Sequence, residues 1–236
     1  WDAVRRAGLS FSPVEAGSEQ GGRAVAESRV WYNSELESRY FLIPGVTALI
    51  MTLIGSLLTS LVIAREWERG TYEALAATPV GKMEIVAGKT VPYFALGMVG
   101  LSLCLAAATG IFGVPVRGSL LLIVLSSALY LSVALGIGLL ISALVKSQFL
   151  ASQIVLVLSC LPTLMFSGFI FDLKSAPRAA FYSAPLFPAT WYVDLRQTLF
   201  LVGNVPRLLT VDIRVLAGFA VLFLSLAGAK IQKSLE

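Results

Sequence analysis

The side chains best suited to chemistry lie in one charged segment, residues 65–80, between two long apolar runs. Its charged groups are three glutamates and two arginines: Glu66, Glu68, Glu73, Arg65 and Arg69. Charged groups are costly in hydrocarbon, so we expect the segment to lie at a membrane surface, where it can meet a soluble partner. This composition favours a polar contact surface.

Catalytic and metal-binding groups are scarce elsewhere. The chain contains no histidine, which removes the commonest general base and the commonest metal ligand. No acidic residue occurs between Glu84 and Asp172, so a carboxylate proton relay is hard to build. Cys104 and Cys160 lie in apolar runs, where a thiol behaves as a small hydrophobe. We therefore expect no catalytic residue, no metal site and no disulfide framework.

Nucleotide and nucleic-acid binding are also disfavoured. Lys82 and Lys89 each follow a glycine, but neither pair has the earlier glycine that a phosphate-binding loop requires. The net charge of +4 comes from basic residues scattered among loops. They do not form a basic stripe with aromatic residues between the charges, as a nucleic-acid-binding surface would. We expect no cofactor in this chain and no nucleic-acid partner.

The elements around the charged segment are long apolar runs. With 57% hydrophobic and only 14% charged residues, the composition is that of an integral membrane protein. A bilayer-spanning helix needs about 20 apolar residues. Five runs meet this requirement and predict an all-α polytopic helical bundle: 42–64, 85–112, 120–145, 149–171 and 211–229. Pro44, near the start of the first run, is expected in a first helical turn.

The remaining regions have a different character. Residues 172–206 are semi-apolar but broken by Pro177, Pro185 and Pro188, so we expect interfacial or re-entrant helices before the last span. Residues 1–40 are polar and read as the end of a soluble domain whose beginning is absent. We expect residues 41–236 to form the transmembrane domain, with a sixth span upstream in the full-length subunit.

The charged segment itself predicts a turn and a short helix. Glu66, Glu68 and Arg69 extend the first helix, and Gly70 can break it. Thr71 is a suitable N-cap for a stub helix with Glu73 near its positive end, and Pro79 ends that helix. Tyr72 and Leu75, three residues apart, then share one apolar face. From the residues alone, an ordinary solvated loop with an interfacial helix explains the pattern equally well.

A family resemblance distinguishes these alternatives. Residues 65–73 and 77–80 resemble the R-E-x-E-R-G-T-x-E and T-P-V signature of ABC-2 type transporter permeases, the membrane subunits of many bacterial ATP-driven exporters. Further stretches are similar to the family in the same order: 31–45, 88–93, 167–171 and 185–191. The resemblance therefore covers most of the chain.

The resemblance implies an exporter permease that forms half of a translocation pathway, in the subgroup with a large extracytoplasmic domain after the first helix. Residues 1–40 would be the remnant of that domain, 65–82 a cytoplasmic coupling loop, and 172–206 an extracytoplasmic re-entrant region. The coupling residues would be Arg65, Glu66, Glu68, Arg69, Gly70, Thr71, Tyr72, Glu73, Leu75 and Pro79. Tyr72 and Leu75 would be apolar anchors, and the charged side chains polar rim or loop-fixing groups.

The implied partners are an ABC ATPase subunit, which binds ATP and Mg, and a second permease in a homo- or heterodimer; a periplasmic adaptor is left open. The resemblance places the chain in a bacterial inner membrane, with the coupling loop and C-terminus cytoplasmic and residues 1–40 extracytoplasmic. The count of basic residues supports a cytoplasmic coupling loop only narrowly. Once residues 1–40 are set aside, seven basic residues lie on the side of the loop and six on the other side. Lys89 and Lys146 are among the seven.

Two other functions remain open at this stage. A membrane scaffold could use the same charged segment to recruit a partner without transport. A secondary transporter is disfavoured, because no span holds a histidine to carry a coupling proton, and the one carboxylate within the five runs, Asp212, lies at the very start of the last. The serines and threonines of the spans could line a path, although we expect most to bond their own helix backbone.

Overall fold

The computed structural model describes residues 38–71, 81–114, 116–166 and 183–230. Among these residues, five helices are long and apolar enough to cross a membrane, and no β-strand occurs. The spans are Leu42–Glu68, Glu84–Gly110, Leu120–Leu144, Gln148–Met165 and Leu208–Lys230. This confirms the all-α polytopic bundle with five spans.

Three of the spans are single helices, and the other two each consist of two helices joined by a π-helical turn. The first span is built from Ser38–Thr52, a π-helical turn Leu53–Leu57 and Leu58–Glu68. The second and third are the continuous helices Lys82–Gly110 and Leu120–Leu144. The fourth span comprises Gln148–Val155, a π-helical turn Leu156–Cys160 and Leu161–Phe166, and the fifth is Pro206–Lys230. Between them lie the short helices Ala184–Leu186 and Pro188–Gln197 and the π-helical turn Thr198–Val202.

Pro44 does not occupy a first turn, so that expectation was wrong. The helix begins at Ser38 and contains Pro44. A proline inside a helix removes one hydrogen bond, here the one that would reach the carbonyl of Tyr40. One such loss is tolerated near the end of a span, where water can bond the carbonyl.

The third span is the centre of the bundle. A Cβ added at Gly138 would overlap the hydroxyl of Thr59, and one added at Gly136 would lie 3.0 Å from the Cβ of Phe223. The first and fifth spans therefore approach the third almost to backbone contact. Small residues allow this approach, which is a major source of helix association in a bilayer.

The helix Pro188–Gln197, called here the inserted helix, packs into the bundle. Tyr192, Val193 and Leu195 are fully buried. The ring of Tyr192 stacks on Tyr130 with centroids 4.1 Å apart. Tyr130 lies ten residues, about 15 Å, along the third span from Leu120. The inserted helix therefore packs against the third span well within its length, and the re-entrant region stays a prediction.

Candidate functional site

The charged segment begins as a continuation of the first span. The helix Leu58–Glu68 carries Glu66 and Glu68 beyond the apolar residues, and the N–H of Arg69 still donates to the carbonyl of Arg65 over 3.1 Å. Gly70 has a φ of 68°, in the left-handed region that strains other residues. Gly70 therefore ends this helix and turns the chain.

Only part of the predicted coupling surface lies among the described residues. Arg65 and Arg69 are exposed, and the Thr71 hydroxyl lies 3.4 Å from the carbonyl of Glu66, to which it donates. The proposed stub helix falls outside the described residues, and so do its members Tyr72, Glu73, Leu75 and Pro79. Their roles remain predictions.

Glu68 fixes the start of the fourth span. One carboxylate oxygen, Oε1, accepts the backbone N–H of Gln148 over 2.7 Å, and Oε2 accepts its side-chain amide. Gln148 is the first residue of the helix Gln148–Val155, whose N-terminal N–H groups lack partners within the helix. A carboxylate at this position also interacts favourably with the helix dipole. Glu68 thus caps a helix that begins 80 residues later in the chain.

Glu66 ties the same segment to the second span. Its Oε1 forms a salt bridge with the ammonium group of Lys89, in the helix Lys82–Gly110. The side chains are only 13% exposed for Lys89 and 29% for Glu66, so solvent screens this pair less than a surface pair. The other oxygen, Oε2, is buried and accepts no hydrogen bond within the described part of the chain.

Trp67 lies between the two glutamates and adds a third contact. The ammonium nitrogen of Lys146 lies 4.1 Å from the centroid of the Trp67 ring, within cation–π range. Trp67 also packs against a cluster that includes Ile63, Val86 and Leu139. Its ring therefore joins the first span to the second and third.

These contacts converge on one end of the bundle. The charged segment touches the start of the second span, the end of the third and the start of the fourth. Deeper in the same interface, the Ser142 hydroxyl oxygen accepts the N–H groups of Ile63 and Ala64, over 3.0 and 2.9 Å. The first and third spans are therefore bonded together immediately beneath the segment.

Sequence reasoning missed the residues that anchor the segment. Trp67, Lys89, Lys146 and Gln148 were not among the predicted site residues. One signal did point to them, because the segment, Lys89 and the short link at residues 146–148 were predicted on one side of the membrane. Which acid meets which partner depends on helix rotation, which the sequence pattern does not specify.

A second polar cluster lies inside the bundle. The Tyr192 hydroxyl donates to the Ser127 Oγ over 2.8 Å, and Nη1 of Arg196 donates to the same oxygen over 3.0 Å. The hydroxyl groups of Thr52 and Tyr130 are 2.5 Å apart. These groups join the first span, the third span and the inserted helix by hydrogen bonds. Across the described ranges, no group of three His, Cys, Asp or Glu side chains could hold a metal ion.

Most of the other hydroxyl groups in the spans bond their own helix. Ser126, Ser132 and Thr163 donate to carbonyls three or four residues earlier, over 2.6 to 3.0 Å. This confirms the expectation for these side chains. Ser159 differs, because its buried Oγ has no hydrogen-bond partner in the part of the chain that the structure describes.

The family described as ABC-2 family transporter protein matches residues 16–229. No solved structure matches the chain at a significant level.

Three Escherichia coli (strain K12) relatives show how far the similarity extends. The probable multidrug ABC transporter permease YbhS is 44% identical over 210 residues, which cover 89% of this chain and 56% of YbhS. The probable multidrug ABC transporter permease YbhR is 30% identical over 73% of this chain and 47% of its own length. The inner membrane transport permease YhhJ is 33% identical over 75% of this chain and 47% of its own length.

The chain spans about half the length of these relatives. The family match extends over the charged segment, all five spans and the inserted helix. The chain therefore belongs to the ABC-2 family of transporter proteins.

Proposed function

We propose that this chain is the membrane-spanning part of an ABC exporter permease, which forms half of a translocation pathway and receives energy through residues 65–80. Two of the relatives are named as probable multidrug ABC transporter permeases, which supports this assignment and a drug-like or amphiphilic substrate. The chain is not an enzyme by itself in this proposal. A separate ATPase subunit binds ATP and Mg and hydrolyses the nucleotide.

The proposed complex has further parts. A second permease, identical or homologous, completes the pathway, and two ATPase subunits drive it; a periplasmic adaptor is a further candidate. The proposed location is the bacterial inner membrane, with loop 65–82 and the C-terminus cytoplasmic and residues 1–40 extracytoplasmic. The name of one relative, an inner membrane transport permease, supports that membrane.

One observation carries the proposed coupling role. Glu66 and Glu68, two residues apart, are bonded to two different spans, at Lys89 and Gln148. A displacement of the charged segment by a docked ATPase therefore acts on the first, second and fourth spans together. Coupling between distant sites needs such a contiguous set of contacts and an element with two arrangements.

The salt bridge between Glu66 and Lys89 offers a charge-swap test. We expect Glu66→Lys or Lys89→Glu alone to lower substrate-stimulated ATP hydrolysis about fivefold, the factor that corresponds to about 1 kcal/mol. The double variant should recover most of the loss, because it restores an opposite-charge pair. The measurement is ATPase activity and transport by the full-length complex in proteoliposomes.

A matched control separates this contact from a general effect of charge. Lys230→Glu makes the same charge change at an exposed residue at the end of the fifth span, and it should leave stimulation unchanged. Failure of the double variant to recover stimulation, with the complex assembled, would contradict the coupling role. A wild-type chain that holds its ATPase subunit without stimulated hydrolysis or transport would instead indicate a scaffold.

A further inference from the structure

Two arginines of the charged segment point away from the bundle. Arg65 and Arg69 are both exposed, whereas Glu66 and Trp67 between them are half-buried. The N–H of Arg69 donates to the carbonyl of Arg65 over 3.1 Å, so the two residues lie one helical turn apart. Side chains at this spacing share one face of a helix. The two guanidinium groups therefore form one positive surface, called here the arginine pair.

The acidic residues of the same turn are bonded to other spans. Glu66 is paired with Lys89 of the second span, and Glu68 accepts hydrogen bonds from Gln148 of the fourth. The bridge between Glu66 and Lys89 is the only salt bridge among the described residues, so neither arginine has a described carboxylate as its partner. The arginine pair thus lies on a part of the first helix that the other described spans leave open.

The arginine pair carries a cost that the described part of the chain does not offset. Two like charges one helical turn apart repel each other and destabilise the helix slightly. The helix dipole favours cations at this end of the helix, but the benefit is small at exposed positions. A partner that supplies carboxylates would remove the repulsion. Guanidinium groups suit such a partner, because each can bond a carboxylate through two parallel N–H groups.

The surroundings of the arginine pair favour a soluble partner over lipid headgroups. A lipid-facing surface carries exposed large apolar side chains, and within residues 47–71 no large apolar side chain is exposed. Lys146 is an exposed cation in a different setting, because Phe149 and Leu150 follow it and are 70% and 53% exposed. Lys146 therefore lies beside an apolar outer surface, and the arginine pair does not.

We propose that the arginine pair is the electrostatic contact through which the ATPase subunit binds, and that it meets an acidic patch on that subunit. This inference rests on the proposed function, since it assumes an ABC ATPase as the partner. It divides the charged segment into two parts. Arg65 and Arg69 hold the ATPase, and Glu66 and Glu68 pass its displacement to the second and fourth spans. Binding and coupling are therefore separable by substitution.

The test titrates the ATPase subunit of the same exporter onto the full-length permease in lipid nanodiscs. We expect Arg65→Glu and Arg69→Glu each to raise the Kd of the complex about fivefold, as loss of one exposed ion pair would give, and the double variant to raise it further. Added salt should weaken binding of the wild type more than binding of the double variant. The single variants should lose substrate-stimulated hydrolysis at low ATPase concentration, and a saturating concentration should overcome the loss.

Glu66→Gln is the contrasting variant, because it breaks the bridge to Lys89 without reversing a charge. Its Kd should stay near that of the wild type, and its stimulated hydrolysis should stay low even at saturating ATPase. The control is Lys230→Glu, the same kind of charge change at an exposed residue at the end of the fifth span, which should leave the Kd unchanged. Thermal unfolding checks that each variant is folded.

Three results would overturn the arginine contact. The first is an unchanged Kd in the folded double variant, and the second is an equal rise in Kd for Lys230→Glu. The third is a rise seen in nanodiscs that contain phosphatidylglycerol but absent with phosphatidylcholine alone, which would assign the arginines to anionic lipid. Failure of the proposed function looks different, because the wild-type permease would then bind no ABC ATPase or would bind it without stimulated hydrolysis.

Discussion

At the residue scale, Arg196 is a costly group to bury among the described helices. It is fully buried, and its Nε and Nη2 have no hydrogen-bond partner among the described residues. Ser127 accepts one of its N–H groups, and the guanidinium carbon lies 4.9 Å from the centroid of the Phe200 ring. These contacts offset part of the cost of burying a charge, but no described carboxylate neutralises it. Arg196 is thus better explained by specific placement of the inserted helix than by stability.

Substitutions in this cluster should therefore have opposite effects. Arg196→Met removes the charge and keeps an unbranched chain, so we expect an unchanged or higher unfolding temperature. Ser127→Ala leaves Tyr192 and Arg196 without their acceptor and should lower the free energy of unfolding by about 1–3 kcal/mol. Thermal unfolding of the solubilised full-length protein measures both, with Ser126→Ala as the control. A lower unfolding temperature for Arg196→Met than for Ser127→Ala would refute this account.

At the element scale, the third span depends on its glycines. Gly136 and Gly138 lie two residues apart, so they face different neighbours, the fifth and the first span. Tight packing leaves no room for a methyl group at Gly138. Replacing a helical glycine by alanine where there is space should instead raise stability, since alanine favours a helix more than glycine does.

We expect Gly138→Ala to lower the free energy of unfolding by about 1–3 kcal/mol, because the new methyl group overlaps the Thr59 hydroxyl. Gly88 lies inside a helix, and a Cβ there would meet nothing within 4 Å in the described part of the chain. Gly88→Ala should therefore be neutral or stabilising by up to about 1 kcal/mol. Reversible unfolding in mixed micelles compares the two, and equal effects would contradict the packing argument.

The sequence was sufficient to predict the elements but not their pairing. Apolar runs of sufficient length predicted all five spans, since hydropathy follows directly from composition. The partners of Glu66 and Glu68 were not predictable, because Lys89 and Gln148 are distant in sequence and their meeting depends on helix packing. The depth of the inserted helix was equally hidden, since three prolines indicate a break without showing where the chain goes.

At the scale of the whole molecule, the length of the second span shows which groups lie at opposite ends of the bundle. The helix Lys82–Gly110 has 29 residues, about 43 Å, which exceeds the hydrocarbon thickness of about 30 Å. Thr109 is exposed at one end, and Thr71 is exposed just before the other. Labelling at these two threonine positions therefore tests the orientation of the chain in the membrane, which the count of basic residues supported only narrowly.

We expect cysteines at these two positions to react from opposite sides of the membrane. In a full-length subunit whose other cysteines are replaced, a membrane-impermeant maleimide should label Thr109→Cys in intact spheroplasts. Thr71→Cys should react only after lysis, because the charged segment is proposed to be cytoplasmic. The reverse pattern would place the segment outside and would exclude contact with a cytoplasmic ATPase.

The glycine contacts of the third span also restrict which helices can move. The first and fifth spans are packed against it at nearly backbone distance, so we expect these three helices to move as one unit. The second and fourth spans bury much less of their surface within the chain than the first and third do, and so does the fifth. The second and fourth spans are also the two helices to which Glu66 and Glu68 are bonded, at Lys89 and Gln148. We therefore expect a displacement of the two carboxylates to shift the second and fourth spans relative to the three helices that the glycine contacts hold together.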